Sequence, residues 1–406
     1  MKKIVSTLLI ISISSSFFLG CKKQTLSADD NIKILMEENK ITTPENINKL
    51  IEGYKQKNSK IKVDIISKSN IYGSLKNKEV EPDIVISSRD TFIDIAEDNN
   101  FRFIDEIFEQ EKFSDNFNNI NRSSGRVNDR YYGLGLFPYT FDFIYNPDAL
   151  GKLGIKVPQN SQEALGLLKK FRDSNIQIPY ILPKDITVEL ALSTYIANYL
   201  LLPSELRESY KSGKEDYQKI TKMETLFSTM KSFVDSGYFN KGLFKETSID
   251  GIKELEKGSI PIIFGTSYLS KNINENSPLR SYSNINLSEN INYSPTGISA
   301  MVSLYANGKN KEGGRKFIDY LMKEEAYETL SKEGIITGNK SLDEKLKGTR
   351  AEMALELKNA NENNLFYFYN LPSKYVELIK NKLNEISSGK YSGEAWKEVI
   401  DAANKS

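Results

Sequence analysis

Side chains that could carry acid–base or ligand-binding chemistry are plentiful in this chain of 406 residues, but two common types are nearly missing. The absence of histidine excludes a Ser-His-Asp triad, a Cys-His pair and any histidine metal ligand. A single cysteine, Cys21, excludes an internal disulfide and a Cys-x-x-Cys site. Acid–base work would therefore rest on Asp, Glu, Lys or Tyr, and we expect no catalytic residue, metal or cofactor.

The charge balance argues against a nucleic-acid partner. Lysine and arginine number 55 against 54 aspartate and glutamate residues, which gives a formal net charge of +1. Such a chain has no global basic field that would gather a polyanion.

Strand and helix patterns alternate over residues 32–86. An apolar strand at 32–36 precedes Thr43-Pro44, a predicted helix start with a capping hydroxyl and a proline in the first turn. The alternation at 61–65 and the unbroken apolar run at 84–86 predict two further strands, the second covered on both faces. Strand, helix and strand at this spacing indicate a parallel sheet and an α/β fold.

Later segments continue this pattern. We predict a strand at 260–264 and helices over 161–171, 310–327 and from Ser392 through Trp396. Because Trp396 has apolar partners three and four residues on, it is expected to lie in the core.

The N-terminus has the form of a secretory signal. Lys2 and Lys3 precede an apolar run of residues 4–19, which is short for a bilayer span and ends at Gly20-Cys21. This segment resembles a bacterial lipoprotein signal, in which the cysteine is acylated and becomes the mature N-terminus. Residues 1–20 would then be the signal peptide and residues 21–30 a flexible tether.

Six segments in order resemble extracellular solute-binding proteins of ABC importers, family 1, the branch that includes maltose-binding proteins. They are Glu81–Ile86 with Asp90, Tyr132–Asp148, Gly154–Pro158, Gly258–Gly265, Gly297–Ile318 and Ser388–Ala395. Each segment alone would match many unrelated proteins. The resemblance rests on all six segments occurring in the order in which the family has them.

The resemblance implies an α/β, two-lobed periplasmic-binding-protein fold of type II (Venus flytrap) with a hinge between the lobes. Residues 31–140 and about 292–336 would form the N-terminal lobe, and residues 141–291 and about 337–406 the C-terminal lobe. Chain crossings would fall near Tyr139–Phe143, Ser288–Ser294 and Gly334–Asn339, with the ligand in the cleft between the lobes.

A sugar site needs planar polar groups for the hydroxyls at the ring edge and aromatic rings for the faces. By their position in the family pattern, candidate ligand-binding residues are Glu38, Asn39, Arg89, Asp90, Tyr139, Tyr268, Tyr367 and Tyr369. A solvated turn, an ordinary surface ion pair and plain core packing are the alternative roles for these side chains.

The sequence therefore predicts a non-enzymatic, substrate-binding lipoprotein of an ABC transporter. It would be a monomer in the cell envelope, held by lipid on Cys21 at the periplasmic side or the outer cell surface. Its ligand would be a small solute, a sugar or oligosaccharide, and its partners the permease subunits. Two alternatives remain open: an adhesion or interaction protein on the same fold, and a glycosidase that uses two carboxylates.

Overall fold

A computed structural model describes residues 31–158, 161–209, 214–282 and 294–405. Its strands are β1 (Asn31–Glu37), β2 (Lys62–Lys68), β3 (Ile84–Ser87), β4 (Arg126–Val127), β5 (Arg130–Tyr131), β6 (Gly133–Tyr145), β7 (Ile178–Tyr180), β8 (Phe244–Glu246), β9 (Ile262–Thr266), β10 (Arg280–Tyr282) and β11 (Thr296–Leu304).

Helices separate and cover these strands. They are α1 (Pro44–Lys57), α2 (Ile71–Lys76), α3 (Arg89–Glu97), α4 (Asp105–Gln110), α5 (Phe113–Asn116), α6 (Asn119–Ser123), α7 (Pro147–Lys152), α8 (Ser161–Asp173), α9 (Val188–Leu200), α10 (Pro203–Glu208), α11 (Lys214–Lys219), α12 (Lys222–Asp235), α13 (Gly251–Glu256), α14 (Lys311–Leu321), α15 (Glu328–Lys332), α16 (Lys340–Asp343), α17 (Thr349–Lys358), α18 (Ser373–Ser387) and α19 (Ala395–Ala403). Short 3-10 turns occupy Ser267–Asn272, Glu324–Ala326, Glu362–Asn364 and Tyr367–Asn370. Among the described residues, no helix combines the length and apolar character needed to cross a bilayer.

One sheet in the order β2-β1-β3-β11-β6-β9-β7-β8 runs through two lobes. Strand β6 belongs to both, since it pairs with β11 up to Thr140 and with β9 from Phe141 onward. The N-lobe holds β2, β1, β3, β11 and the first part of β6, and the C-lobe holds the rest of β6 with β9, β7 and β8. All 13 residues of β6 are buried.

The predicted two-faced burial of β3 is confirmed. Ile84 and Ile86 pack with α1 and α14 on one face of the N-lobe sheet, whereas Val85 packs on the other. The apolar cluster on this second face continues into the C-lobe and includes Trp396, which is 3 % exposed as predicted for a core residue.

The chain was predicted to cross between the lobes at two further places. The second crossing, predicted near Ser288–Ser294, lies almost wholly outside the described residues. At the third, Ile335 packs in the N-lobe core and Ile336 in the C-lobe core.

Three predicted helix and strand boundaries are wrong, and a specific contact or residue accounts for each. The helix predicted over 310–327 ends at Leu321, where the hydroxyl of Tyr327 folds back and donates to the Leu321 carbonyl at 2.8 Å. The last helix begins at Ala395 rather than Ser392, because the Glu224 carboxylate accepts the first backbone N–H groups there. The strand predicted from Ile260 begins at Ile262, just after Pro261, which cannot donate to a ladder.

The prediction that the Thr43 hydroxyl caps α1 is also wrong. Thr43 makes no side-chain cap to α1, and its Oγ1 instead lies 2.7 Å from Ser299 Oγ on β11. This contact joins the start of α1 to the strand beside the interlobe junction.

Candidate functional site in the interlobe cleft

Strand ends from both lobes meet at the junction on β6. The carboxyl ends of β1 and β3 point to it from the N-lobe, and those of β9, β7 and β8 point to it from the C-lobe. In open α/β sheets this edge is where ligands bind, since the loops that leave the strands converge there.

On the N-lobe side, Asp90 lies in the first turn of α3 and forms an ion pair with Lys40. Lys40 Nζ donates to Asp90 Oδ2 at 2.9 Å and lies 3.6 Å from Glu37 Oε1. The side chain of Lys40 is 35 % exposed and that of Asp90 is 13 % exposed. The pair is therefore partly exposed to solvent, and its two opposite charges compensate each other.

Glu37 fixes the position of this pair. Its buried carboxylate accepts from the backbone N–H and the hydroxyl of Ser88 and from the hydroxyl of Thr91, each at 2.8 Å. A carboxylate is favourable at the N-terminus of a helix, so Glu37 replaces a conventional N-cap on α3. Burial raises the pKa of Glu37, against the opposing effect of Lys40.

Asp90 stays ionised in this setting. Burial by itself would raise its pKa, but attraction to Lys40 and hydrogen bonding outweigh that effect and hold the pKa below its usual value. Burial would likewise lower the pKa of Lys40, and the charges of Asp90 and Glu37 raise it instead.

Three of the predicted tyrosines form one cluster at the junction. The rings of Tyr139 and Tyr268 lie 4.5 Å apart, and the hydroxyls of Tyr139 and Tyr369 are 3.0 Å apart. Tyr268 donates to the Phe137 carbonyl at 2.8 Å. Tyr139 comes from β6, Tyr268 from the 3-10 turn after β9 and Tyr369 from the 3-10 turn Tyr367–Asn370, so the cluster joins three separate parts of the chain.

The other predicted residues are placed differently. Arg89 is fully buried with its guanidinium carbon 5.2 Å from the centre of the Phe92 ring, and Tyr367 turns inward, its hydroxyl 3.1 Å from Ser193 Oγ on α9. Glu38 and Asn39 are exposed in the turn after β1, where Asn39 has a left-handed φ of 67°. A ligand role for these four stays a prediction.

Sequence reasoning missed one carboxylate, Asp185, in the loop between β7 and α9. Burial raises its pKa to about 6, and the charges of Lys380, Asp90 and Lys40 also act on it. Its own charge acts in turn on Tyr139, Tyr268 and Tyr369. A C-lobe carboxylate therefore lies within electrostatic range of the N-lobe pair and of the tyrosine cluster.

A fourth carboxylate lies inside the hinge strand. Asp142 is fully buried on β6 and accepts from the hydroxyls of Thr140 at 2.8 Å and Ser281 at 2.7 Å. Burial raises its pKa to about 7 despite these bonds, and the charge of Glu356 acts in the same direction. Asp142 belongs to the hinge rather than to the cleft surface.

Ion pairs also join the two lobes in this conformation. Lys271, in the turn after β9, lies 2.8 Å from Glu45 on α1, and Arg126 lies 3.2 Å from Glu362. These contacts show the lobes touching at two places beside the hinge strand.

We expect Gly297→Ala to distort the tyrosine cluster. A Cβ at this position on β11 would overlap the Tyr139 ring and lie 2.5 Å from Phe366 Cε2, and the strand backbone cannot move away. Overpacking of this kind costs about 1–3 kcal/mol, measurable by chemical denaturation. The matched control is Gly166→Ala in α8, where no neighbour lies within 4 Å and a gain of up to about 1 kcal/mol is expected. Equal stability changes in the two variants would contradict this account.

The fold and the converging strand ends define a two-lobed solute-binding architecture, and comparison with known proteins agrees. The chain belongs to the bacterial extracellular solute-binding protein family, whose model matches residues 40–328. The family predicted from the six segments is thus confirmed. No curated protein sequence matches the chain significantly.

Solved structures share the fold at low sequence identity. The GacH receptor of Streptomyces glaucescens, solved with acarbose, is 16 % identical with a TM-score of 0.62 over 92 % of this chain and 97 % of that one. The solute receptor AcbH, described as preferring β-D-galactopyranose, is 15 % identical with a TM-score of 0.62 over 92 % and 96 %. A family 1 solute-binding protein from Bifidobacterium longum subsp. infantis is 18 % identical with a TM-score of 0.64 over 92 % and 98 %.

Proposed function

We propose that this protein captures a sugar or oligosaccharide between its lobes and delivers it to an ABC importer. The observation that carries the proposal is that Asp90 of the N-lobe and Asp185 of the C-lobe lie within electrostatic range of each other, and that Asp185 also lies within range of the tyrosine cluster at the hinge strand. The sugars named for the structural relatives support the same ligand class.

The side chains at the cleft suit a sugar. Carboxylate oxygens accept from ring hydroxyls, Lys40 donates to them, and the ring of Tyr268, which is half-buried, offers an apolar face for C–H groups. Tyr139 and Tyr369 are buried behind it in this conformation. Because Asp90 is already paired with Lys40, the ligand adds hydrogen bonds without leaving an isolated charge.

The proposed mechanism is hinge closure about β6. A ligand that touches Asp90 in the N-lobe and Asp185 in the C-lobe has more contacts when the lobes are closed, so it shifts the equilibrium towards that state. The closed form then docks on the permease subunits. No bond is made or broken in this cycle.

The proposal includes an envelope location. Acylation of Cys21 would hold the protein as a monomer on the periplasmic side of a membrane or on the outer cell surface, with residues 21–30 as the tether. Cys21 and the tether lie outside the described residues.

A thermal-shift screen tests the function. Purified protein would be heated with mono- and oligosaccharides, with amino acids, polyamines and phosphate as contrasts. Ligand at a hundred times its Kd adds about 2.7 kcal/mol, which raises Tm by several degrees at roughly 2–4 °C per kcal/mol. A shift with one sugar class supports the proposal. The absence of a Tm shift with every sugar would overturn the proposal and favour an adhesion or interaction role.

The opposite pKa shifts of Asp90 and Asp185 also fit a second candidate, a glycoside hydrolase. One carboxylate is held ionised and the other is pushed towards its protonated form, as an acid and its partner require. Chromatography of a bound oligosaccharide after long incubation separates the two functions. An unchanged ligand supports the receptor, and release of shorter sugars in excess of the amount of protein would support the hydrolase.

A further inference from the structure

The amino end of the N-lobe sheet, opposite the cleft, is where the described chain begins. Strands β1, β2 and β3 run parallel, so their first residues lie together there, and β11 ends beside them because it runs antiparallel to β3. The carbonyl of Asn31, the first residue of β1, accepts from Asn310 Nδ2 at 2.9 Å. The segment 21–30 therefore joins the folded body at the far end of the N-lobe from the cleft.

Buried Asp83 fixes the elements that meet at this end. Its carboxylate accepts from the backbone N–H of Lys33 on β1 at 2.9 Å and from that of Asn310, just before α14, at 2.7 Å. Asp83 itself directly precedes β3. The backbone positions that carry the surrounding side chains are therefore held in a fixed arrangement.

Four exposed lysines lie around these contacts, and we call them the basic end: Lys33, Lys60, Lys78 and Lys311. Lys60 lies just before β2, and Lys311 is the first residue of α14. The hydrogen bond from Lys309 lowers the pKa of Glu81, and the charges of Lys33 and Lys78 add to this effect. Lys33 and Lys78 therefore lie near each other, beside Glu81.

The positive charge of the basic end is not compensated locally. None of its four lysines lies within 4.0 Å of a carboxylate oxygen in the described ranges. The neighbouring acidic side chains already have other partners: Asp64 with Lys62, Glu79 with Lys68, Glu81 with Lys309 and Glu312 with Lys316. In the segment 21–30 two lysines balance two aspartates. Since the whole chain has a formal net charge of only +1, the excess is a property of this end rather than of the protein as a whole.

We propose that the basic end binds the anionic phospholipid headgroups of the membrane to which Cys21 anchors the chain. The inference rests on the lipid anchor of the proposed function and adds an orientation to it. Ten residues of chain span at most about 35 Å, so the anchor keeps the basic end close to the bilayer. The attraction of surface lysines to anionic lipid acts over about one Debye length, roughly 10 Å. The N-lobe then lies against the membrane with the cleft end of its sheet facing away from the lipid.

The first test couples the chain that begins at Cys21 to vesicles through a maleimide lipid. Cys21 is the only cysteine, so the attachment point is fixed whether or not cells acylate it. Amine-reactive labelling, read by mass spectrometry, compares vesicles of phosphatidylcholine with vesicles that also contain phosphatidylglycerol. At low salt we expect the four lysines of the basic end to be labelled several-fold more slowly on the anionic vesicles, and at high salt equally on both. Lys152 and Lys245, exposed on the C-lobe, should be labelled equally on both at any salt concentration.

The second test removes the charges and measures co-sedimentation of the uncoupled chain with the same vesicles. A lysine close to an anionic bilayer contributes roughly fivefold in affinity. The variant Lys33→Gln/Lys60→Gln/Lys78→Gln/Lys311→Gln should therefore lose roughly tenfold or more in its partition onto anionic vesicles. Glutamine keeps the length of each exposed side chain, so we expect an unchanged melt.

The matched control removes the same number of charges from the C-lobe: Lys152→Gln/Lys156→Gln/Lys245→Gln/Lys390→Gln. These lysines are also exposed and form no ion pair in the part of the chain that the structure describes. This variant should bind like the parent. Equal losses in the two variants, a parent that binds anionic vesicles no better than neutral ones, or uniform labelling of all lysines would overturn the membrane contact. The sugar receptor is tested separately by the thermal-shift screen and would stand.

Discussion

Asp90→Ala is expected to weaken ligand binding by roughly ten- to hundredfold while leaving the fold in place. A hydrogen bond to a charged group contributes about 1.5–3 kcal/mol, and each 1.4 kcal/mol corresponds to a factor of ten in Kd. Stability should change by about 1 kcal/mol or less, because Lys40 is partly exposed and keeps Glu37 at 3.6 Å. Calorimetry on the identified sugar and a thermal melt measure the two quantities.

The control is Asp98→Ala, at the other end of α3, where an exposed aspartate accepts only from the hydroxyl of Tyr72 at 2.8 Å among the bonds described. Its affinity should equal that of the parent. Asp185→Asn should resemble Asp90→Ala, since closure needs contacts from both lobes. Unchanged affinity for Asp90→Ala would remove Asp90 from the site. A loss in Asp90→Ala without a loss in Asp185→Asn would mean that one lobe alone holds the ligand.

Asp142→Asn is expected to remove much of the dependence of stability on pH. The pKa of Asp142 is about 7 in the folded protein and about 3.9 in an unfolded chain, so the folded state binds more protons between these values. Its contribution is therefore fully present below about pH 4 and is lost as the pH rises through 7. Since a tenfold difference in proton affinity between the two states corresponds to about 1.4 kcal/mol, the loss reaches at most about 4 kcal/mol.

An asparagine at 142 keeps the two hydroxyl contacts, because Thr140 and Ser281 can each donate or accept. We expect Asp142→Asn to equal the parent near pH 4 and to exceed it near pH 8, measured by urea unfolding at each pH. A residual slope should persist below pH 6, since burial also raises the pKa values of Asp185 and Asp343 to about 6.

Asp343→Asn is the contrasting control. Asp343 is also buried, but its two oxygens accept from two backbone N–H groups and from the hydroxyl of Thr337. An amide nitrogen in place of one oxygen would face an N–H donor, so this variant should be less stable at every pH. A gain in stability at pH 8 in both variants, or in neither, would contradict the assignment of this pH dependence to Asp142.

The fold was largely predictable because its strands and helices have long, regular apolar patterns. The burial of β3 on both faces and of Trp396 in the core followed from local spacing. The start of α19 was missed because it is set by a distant side chain, Glu224, and the end of α14 was missed because Tyr327 folds back onto the Leu321 carbonyl. Such contacts depend on tertiary packing, which one sequence does not reveal.

The site was predictable only where a polar residue follows a clear strand. Asp90 follows the apolar run of β3, whereas Asp185 follows β7, which is three residues long and carries too little pattern to detect. The ion pair of Lys40 with Asp90 joins residues 50 positions apart, and nothing local encodes it. Trp396 donates to the Tyr217 carbonyl at 2.8 Å in the C-lobe core and is not part of the tyrosine cluster at the hinge strand.

The shared strand β6 and the apolar cluster that joins the lobes also determine how the protein unfolds. That cluster holds Leu35 from the first strand together with Trp396 from the last helix, and the cut that would separate the lobes runs through the middle of a fully buried strand. Neither lobe can lose its structure without exposing a core face of the other. Under the proposed mechanism the two lobes move as separate bodies about the hinge, yet they form a single cooperative unit in folding.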